Sequence, residues 1–166
     1  MILVTVGTHH QPFDRLVSAA AGLGLPGERV VVQRGTSLVE PKGCEWVDAV
    51  ASDVLAAWIA EARVVVTHGG PATVTAVWAL GRIPVVVPRR PELREHVDDH
   101  QRRWAATVSA HVIVVEDASQ LAALVAAPPT RVVPRVAAPE LFAKRFGELV
   151  DRVVQGRRSR GPQLTR

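Results

Sequence analysis

The chain has 166 residues, 48% of them hydrophobic, which is enough for one buried core and too few for two ordinary domains. The formal net charge is +4, but residues 151–166 hold five arginines and one aspartate. Residues 1–150 therefore sum to zero, so the globular part is not a basic protein and no nucleic-acid partner is expected. No run approaches the roughly 20 apolar residues of a membrane span. The run Ile2–Val6 is too short, and lacks the basic leader, for a secretion signal. The lone Cys44 has no partner for an internal disulfide, so a cytoplasmic, reducing location is expected.

In chain order, Ile2–Val6 reads as a buried strand closed by Gly7 and Thr8, followed by His9 and His10. Gln11-Pro12-Phe13-Asp14 opens a helix with Phe13, Leu16, Val17 and Ala20 at helical spacing, and Gly22 and Gly24 stop it. Arg29–Gln33 is a second strand, and Glu45–Val47 a short third one. Ser52 or Asp53 is expected to cap a helix with Val54, Leu55, Trp58, Ile59 and Ala62 on one face. Val64–Val66 then forms a β-branched run suited to a parallel strand covered on both sides. Thr67, His68, Gly69 and Gly70 end that strand, Pro71 takes the first helical position, Gly81 stops the helix, and Pro84–Val87 begins a fifth strand.

A charged loop over Pro88–Val97 leads to a helix over Asp98–Val108 and a last strand over His111–Val115. A short helix runs through Val125, Pro128-Pro129 breaks it, and Pro139 opens a terminal helix carrying Leu141, Phe142, Phe146, Leu149 and Val150. Strands alternating with helices imply a doubly wound, mostly parallel α/β sheet, Rossmann-like, with a C-terminal helix. One domain is expected over 1–155, with residues 156–166 a basic, disordered tail.

Ligands of such sheets bind beyond the carboxyl ends of the strands. There the turn His68, Gly69, Gly70 and the first helical residues, including Thr73, present backbone N–H groups and a helix dipole that favour an anion. Neither standard glycine-rich phosphate loop occurs, and the same glycines also suit any tight strand-to-helix turn. The segment ELREHVDDHQ admits three readings. Asp98 with Gln101 matches a capping box. His96 and His100 with an aspartate resemble a metal set, but Arg94, Arg102 and Arg103 crowd the place and no metal is expected. Asp99, His100 and Gln101 suit hydrogen bonding to sugar hydroxyls.

The series VTVGT, FDRL, THGGPATV, PVVVPRR and HVDDHQ resembles the C-terminal, nucleotide-sugar-binding half of glycosyltransferase family 28 over about residues 1–125. More narrowly it is similar to the stand-alone subunits of two-component N-acetylglucosaminyltransferases and bacterial exopolysaccharide transferases. The resemblance implies a GT-B half-domain, about half the length of a complete GT-B enzyme. That half holds a UDP-sugar for metal-independent, inverting transfer without a cofactor. A membrane-associated subunit would bring the acceptor and draw the chain to the inner face of the membrane, with the arginine-rich tail as a further contact. It also implies that Gly7 and Thr8 line the diphosphate, and that His68, Gly69, Gly70 and Thr73 hold phosphate at the helix start. Asp99, His100 and Gln101 would touch sugar and phosphate, and Arg89 or Arg90 would steady the departing UDP. The family's ribose-gripping glutamate is replaced here by Ala76, with Thr75 or Gln33 as substitutes. His9 and His10 are the candidate general bases, or the partner supplies one. A nucleotide-sugar-binding protein without transferase activity is the alternative.

Overall fold

The computed structural model describes residues 1–128. The terminal helix expected from Pro139, the upper boundary at 155 and the tail lie outside these residues. Six strands form one sheet: β1 (Ile2–Thr5), β2 (Val30–Gln33), β3 (Glu45–Val47), β4 (Val64–Thr67), β5 (Val85–Val86) and β6 (Ile113–Val114). Their spatial order is β3-β2-β1-β4-β5-β6, and every neighbouring pair is parallel. The helices between them are α1 (Asp14–Ala20), α2 (Ser52–Glu61), α3 (Pro71–Ala79), α4 (His100–Thr107) and α5 (Leu121–Ala126). Chain order reverses direction between β1 and β4, which makes that gap the topological switch point of the sheet.

The strands' alternation decides which helix covers which face. Ile2, Val4 and Val6 share one cluster with Val30, Val32, Val64 and Val66, packed under Phe13, Leu16 and Val17 of the α1 region and Leu121 and Val125 of α5. The residues between them, Leu3, Val31 and Val65, face the other way and pack on Ile59 and Ala62 of the α2 region and Val77 of α3. A third cluster joins Val86 to Val74 of α3, Ala105 of α4 and Val112. Fully burying a valine, leucine or isoleucine is worth roughly 1.5–3 kcal/mol, and both faces of β1 are apolar and covered, so its register rests on the fit of individual side chains into the two clusters. The register Ile2↔Val30 and Ile2↔Val64 is set this way.

Several boundaries differ from expectation for local reasons. α2 starts at Ser52 with Ala51 as its N-cap and no side-chain cap bond, and Val54 is 39% exposed rather than on the buried face. At the other end of α2 the Arg82 guanidinium donates to the carbonyls of Ile59, Ala60 and Ala62, satisfying acceptors that a helix end leaves open. Gly81, expected to stop α3, has φ +69° and does so. The expected capping box at Asp98 and Gln101 does not form. Asp98 Oδ1 accepts from the backbone N of His100, while the Gln101 side chain turns inward and accepts from Arg89 N at 3.2 Å. α4 therefore begins two residues later than Asp98.

Candidate functional site

At the carboxyl end of β1 the chain turns at Gly7, whose φ is +74°. The turn is held by Gln33, at the end of β2. Its Oε1 accepts from Thr5 Oγ1 at 2.7 Å and Gly7 N at 3.1 Å, and its Nε2 donates to the carbonyls of Gly7 and Asp48 at 3.0 and 2.8 Å. Gln33 is 3% exposed with its amide fully engaged, so it supplies no substitute contact to a ribose. Thr75, the other candidate, bonds back to the carbonyls of Pro71 and Ala72. Ala76 packs against the Leu3, Ile59 and Val65 cluster.

At the end of β4 the imidazole of His68 enters the space between two glycines. A Cβ at Gly7 would approach its Cε1 to 2.6 Å, and a Cβ at Gly70 would approach its Nε2 to 2.5 Å. The glycines thus make room for a side chain of the protein itself. Burial, then the nearby Arg89 guanidinium, pushes the His68 pKa down to about 4, so the ring is neutral near pH 7. Its Nδ1 lies 3.3 Å from Thr67 Oγ1.

Beyond the ring a cavity of about 280 Å³ opens at the switch point. It is lined by Thr5, Gly7 and Thr8 from the β1 end, Gln33, Ala49, Val50 and Leu55 on one side, and His68, Gly70, Pro71, Ala72 and Thr73 on the other. α3 carries proline in its first turn and has no side-chain cap bond at Gly70. By helix geometry the N–H groups of Ala72 and Thr73 lack intrahelical acceptors, leaving a concave, electropositive end. Gly7, Thr8, His68, Gly70 and Thr73 thus come together in one cavity, and Gly69 forms the turn behind them with φ +86°.

The second group of expected contacts is placed differently. Arg89 is 1% exposed and its guanidinium lies over the Phe13 ring at 4.7 Å. It donates to the carbonyls of Val6 at 2.9 Å, Gln11 at 2.8 Å and Glu95 at 2.9 Å. Burial lowers its pKa to about 10, so it keeps its charge at neutral pH. Its two Nη groups fasten the β1 and β5 turns together, its buried Nε has no partner among the described residues, and the side chain does not line the cavity. Arg90 pairs with Glu92 at 2.9 Å. Glu95, within the charged loop, is 5% exposed and receives both arms of Arg15 at 2.9 Å each. No local pattern signals this pair, since its members lie far apart in the chain. Gln101 is 6% exposed and bonded to Arg89 N. Asp99 pairs with Arg103 at 2.9 Å. Neither lines the cavity, and the same holds for His100.

His9 and His10 stand after the β1 turn with ring centroids 4.4 Å apart, and His9 also lies 4.2 Å from His96. Nδ1 of His9 accepts from Gln11 N at 3.2 Å. Burial and then His96 lower the His9 pKa, and burial and then His100 lower that of His96. Neither His9 nor His10 lines the cavity, so His68 is its one titratable side chain among the described residues.

The fold is similar to that of the solved glycotransferase of kitacinnamycin, at 20% identity and a TM-score of 0.52, over 77% of this chain and 35% of that one. The calicheamicin glycosyltransferase CalG4 matches at 19% identity and a TM-score of 0.47, over 69% of this chain and 29% of that one. SnogD from Streptomyces nogalater matches at 21% and 0.44, over 73% and 34%. At these identities the likeness is one of fold, and this chain spans about a third of the length of those proteins. No curated protein sequence matches the chain. The profile described as "Glycosyltransferase family 28 C-terminal domain" matches residues 1–128, which takes in the whole sheet and the cavity at its switch point. The chain belongs to glycosyltransferase family 28, as its C-terminal domain.

Proposed function

We propose that this chain is the donor-binding subunit of a two-component inverting glycosyltransferase and holds a UDP-sugar in the cavity between the β1 and β4 turns. The observation that carries this reading is the uncapped first turn of α3 facing a cavity at the switch point of a parallel sheet. The diphosphate would lie against the N–H groups of Ala72 and Thr73, with Thr8 and Thr73 hydroxyls and the neutral His68 ring beside it. At about 280 Å³ the cavity falls at the low end for a ligand site, as half of a cleft closed by another polypeptide would.

Transfer needs a base to take a proton from the acceptor hydroxyl. His68, at a pKa of about 4 and wedged between glycines, is a poor base near neutrality. This favours a division of labour in which a membrane-associated partner brings both the acceptor and the base. The pathway would be that of a lipid-linked or surface polysaccharide, at the cytoplasmic face of the membrane. Among the described residues no helix is long and apolar enough to cross a membrane. The same lack of a base supports a second reading, a nucleotide-sugar-binding regulator without transferase activity.

Calorimetric titration with UDP, UDP-N-acetylglucosamine and UDP-glucose, with ADP as control, tests the donor site. Selective uridine-nucleotide binding that is weakened in Thr73→Val and lost in Gly70→Asp supports it. Equal binding of ADP, or binding untouched by either change, sinks it. Transfer by the chain together with membranes containing a partner, and by neither alone, separates the subunit from the regulator.

A further inference from the structure

We propose that His96, Asp98 and His100 form a binding site for a divalent transition-metal ion, of the Zn²⁺ class, where the β5–α4 loop enters α4. One donor atom from each of the three residues lies within 4.8 Å of the others. His96 Nδ1 and Asp98 Oδ1 are 3.4 Å apart. Two donors of a tetrahedral ion with bonds near 2.0–2.2 Å stand about 3.4 Å apart, so this edge already has the length required. The other edge runs from the same Asp98 Oδ1 to His100 Nδ1, where a short hydrogen bond now joins the two. An ion would replace that hydrogen and lengthen the edge to match the first. The fourth position would go to water.

The loop holds His96 in place, and only the exposed Asp98 and His100 side chains need to shift to open the second edge. Arg89 ties down the carbonyl of Glu95, the residue before His96, and His96 is 7% exposed with the His9 ring 4.2 Å from its own. The Nδ1 of His96 is unprotonated and accepts a long 3.3 Å bond from Asp98 N, which an ion would displace to take the lone pair. The side chains of Asp98 and His100 are each 51% exposed, which gives an ion a way in.

Two of the three arginines that argued against a metal from sequence, Arg102 and Arg103, are directed elsewhere. Arg102 reaches Glu116 at 3.4 Å and Glu92 at 3.6 Å, and Arg103 reaches Asp99 at 2.9 Å. None of the three donors lines the cavity between the β1 and β4 turns.

The test is titration of the tag-free full chain with Co²⁺, read by its visible absorption, followed by Zn²⁺ competition, with no nucleotide present. The expected result is intense tetrahedral Co²⁺ bands that saturate at one equivalent and bleach with Zn²⁺. His100→Gln, an exposed change that should leave the circular dichroism spectrum intact, is expected to weaken binding at least about tenfold. His111→Gln, at an exposed histidine elsewhere, should leave it unchanged. Absence of tetrahedral bands, or an isotherm identical in the wild-type chain and His100→Gln, overturns the proposal. Because nucleotide titrations are separate measurements, failure of one site is distinguishable from failure of the other.

Discussion

The imidazole of His68 occupies the place where a side chain at position 70 would begin: a Cβ there would come within 2.5 Å of Nε2. Gly70 has φ −64°, which any residue adopts, so the demand for glycine is steric rather than conformational. Gly70→Ala must therefore displace the ring or the turn. Overpacking of this kind costs about 1–3 kcal/mol. The double variant His68→Ala/Gly70→Ala should be more stable than the sum of the two single changes predicts, because it removes the clash. Urea denaturation of the four proteins measures the coupling, and strict additivity would show that the ring and the glycine do not compete.

His68 also makes a prediction about acid. Its pKa in the folded chain is about 4, against 6.5 ordinarily, so below pH 6.5 the unfolded chain takes up a proton that the folded chain refuses. Stability should be full above about pH 6.5 and fall as pH drops toward 4, by no more than about 3 kcal/mol from this residue. His9 and His96 shift the same way and steepen the fall. Glu28, held down to about 2 by its bond with Arg63, acts in a separate window, losing its contribution only as pH falls below 4.5. His68→Gln should flatten the slope between pH 6.5 and 4 in thermal melts, and an unchanged slope would contradict the assigned shift.

Arg89 joins turns that are remote in sequence, bonding to carbonyls of Val6, Gln11 and Glu95. A lysine has one compact ammonium and does not reproduce this fork, so Arg89→Lys should cost about 2–4 kcal/mol. Nucleotide affinity, measured where the variant remains folded, should change little. A large loss of affinity at unchanged stability would restore Arg89 to the diphosphate.

Gln33 holds the Gly7 turn with four hydrogen bonds. Gln33→Leu keeps the bulk and removes the partners, leaving Thr5 Oγ1 and Gly7 N without their acceptor. A loss of about 2 kcal/mol or more is expected, with faster amide exchange at Gly7 than in the parent. Unaltered protection of the Gly7 amide would show that the turn is held by other contacts.

The order of strands and helices was legible because local patterns carry it. The valine runs of β2 and β4, Pro71 at the start of α3 and Gly81 at its end each act within a few residues. The turn that ends β4 was legible for the same reason, since Gly69, Gly70 and Pro71 specify their own backbone. What the sequence by itself determined was thus the set of elements, the family motifs and the edge of the sheet where a site would lie.

The direction of each polar side chain at that edge was decided only by the tertiary structure. Arg89, Glu95 and Gln101 look like surface ligand contacts in a charged string, yet each turns inward. They do so because parallel strands bring Val6, Gln11 and Arg15 alongside them, and buried carbonyls and guanidinium groups left unpaired would cost more than the exposed charges gain. Conversely His96, Asp98 and His100 converge because Asp98 bonds to His100 in place of capping a longer helix. Such choices depend on partners far away in the chain, and periodicity carries no information about them.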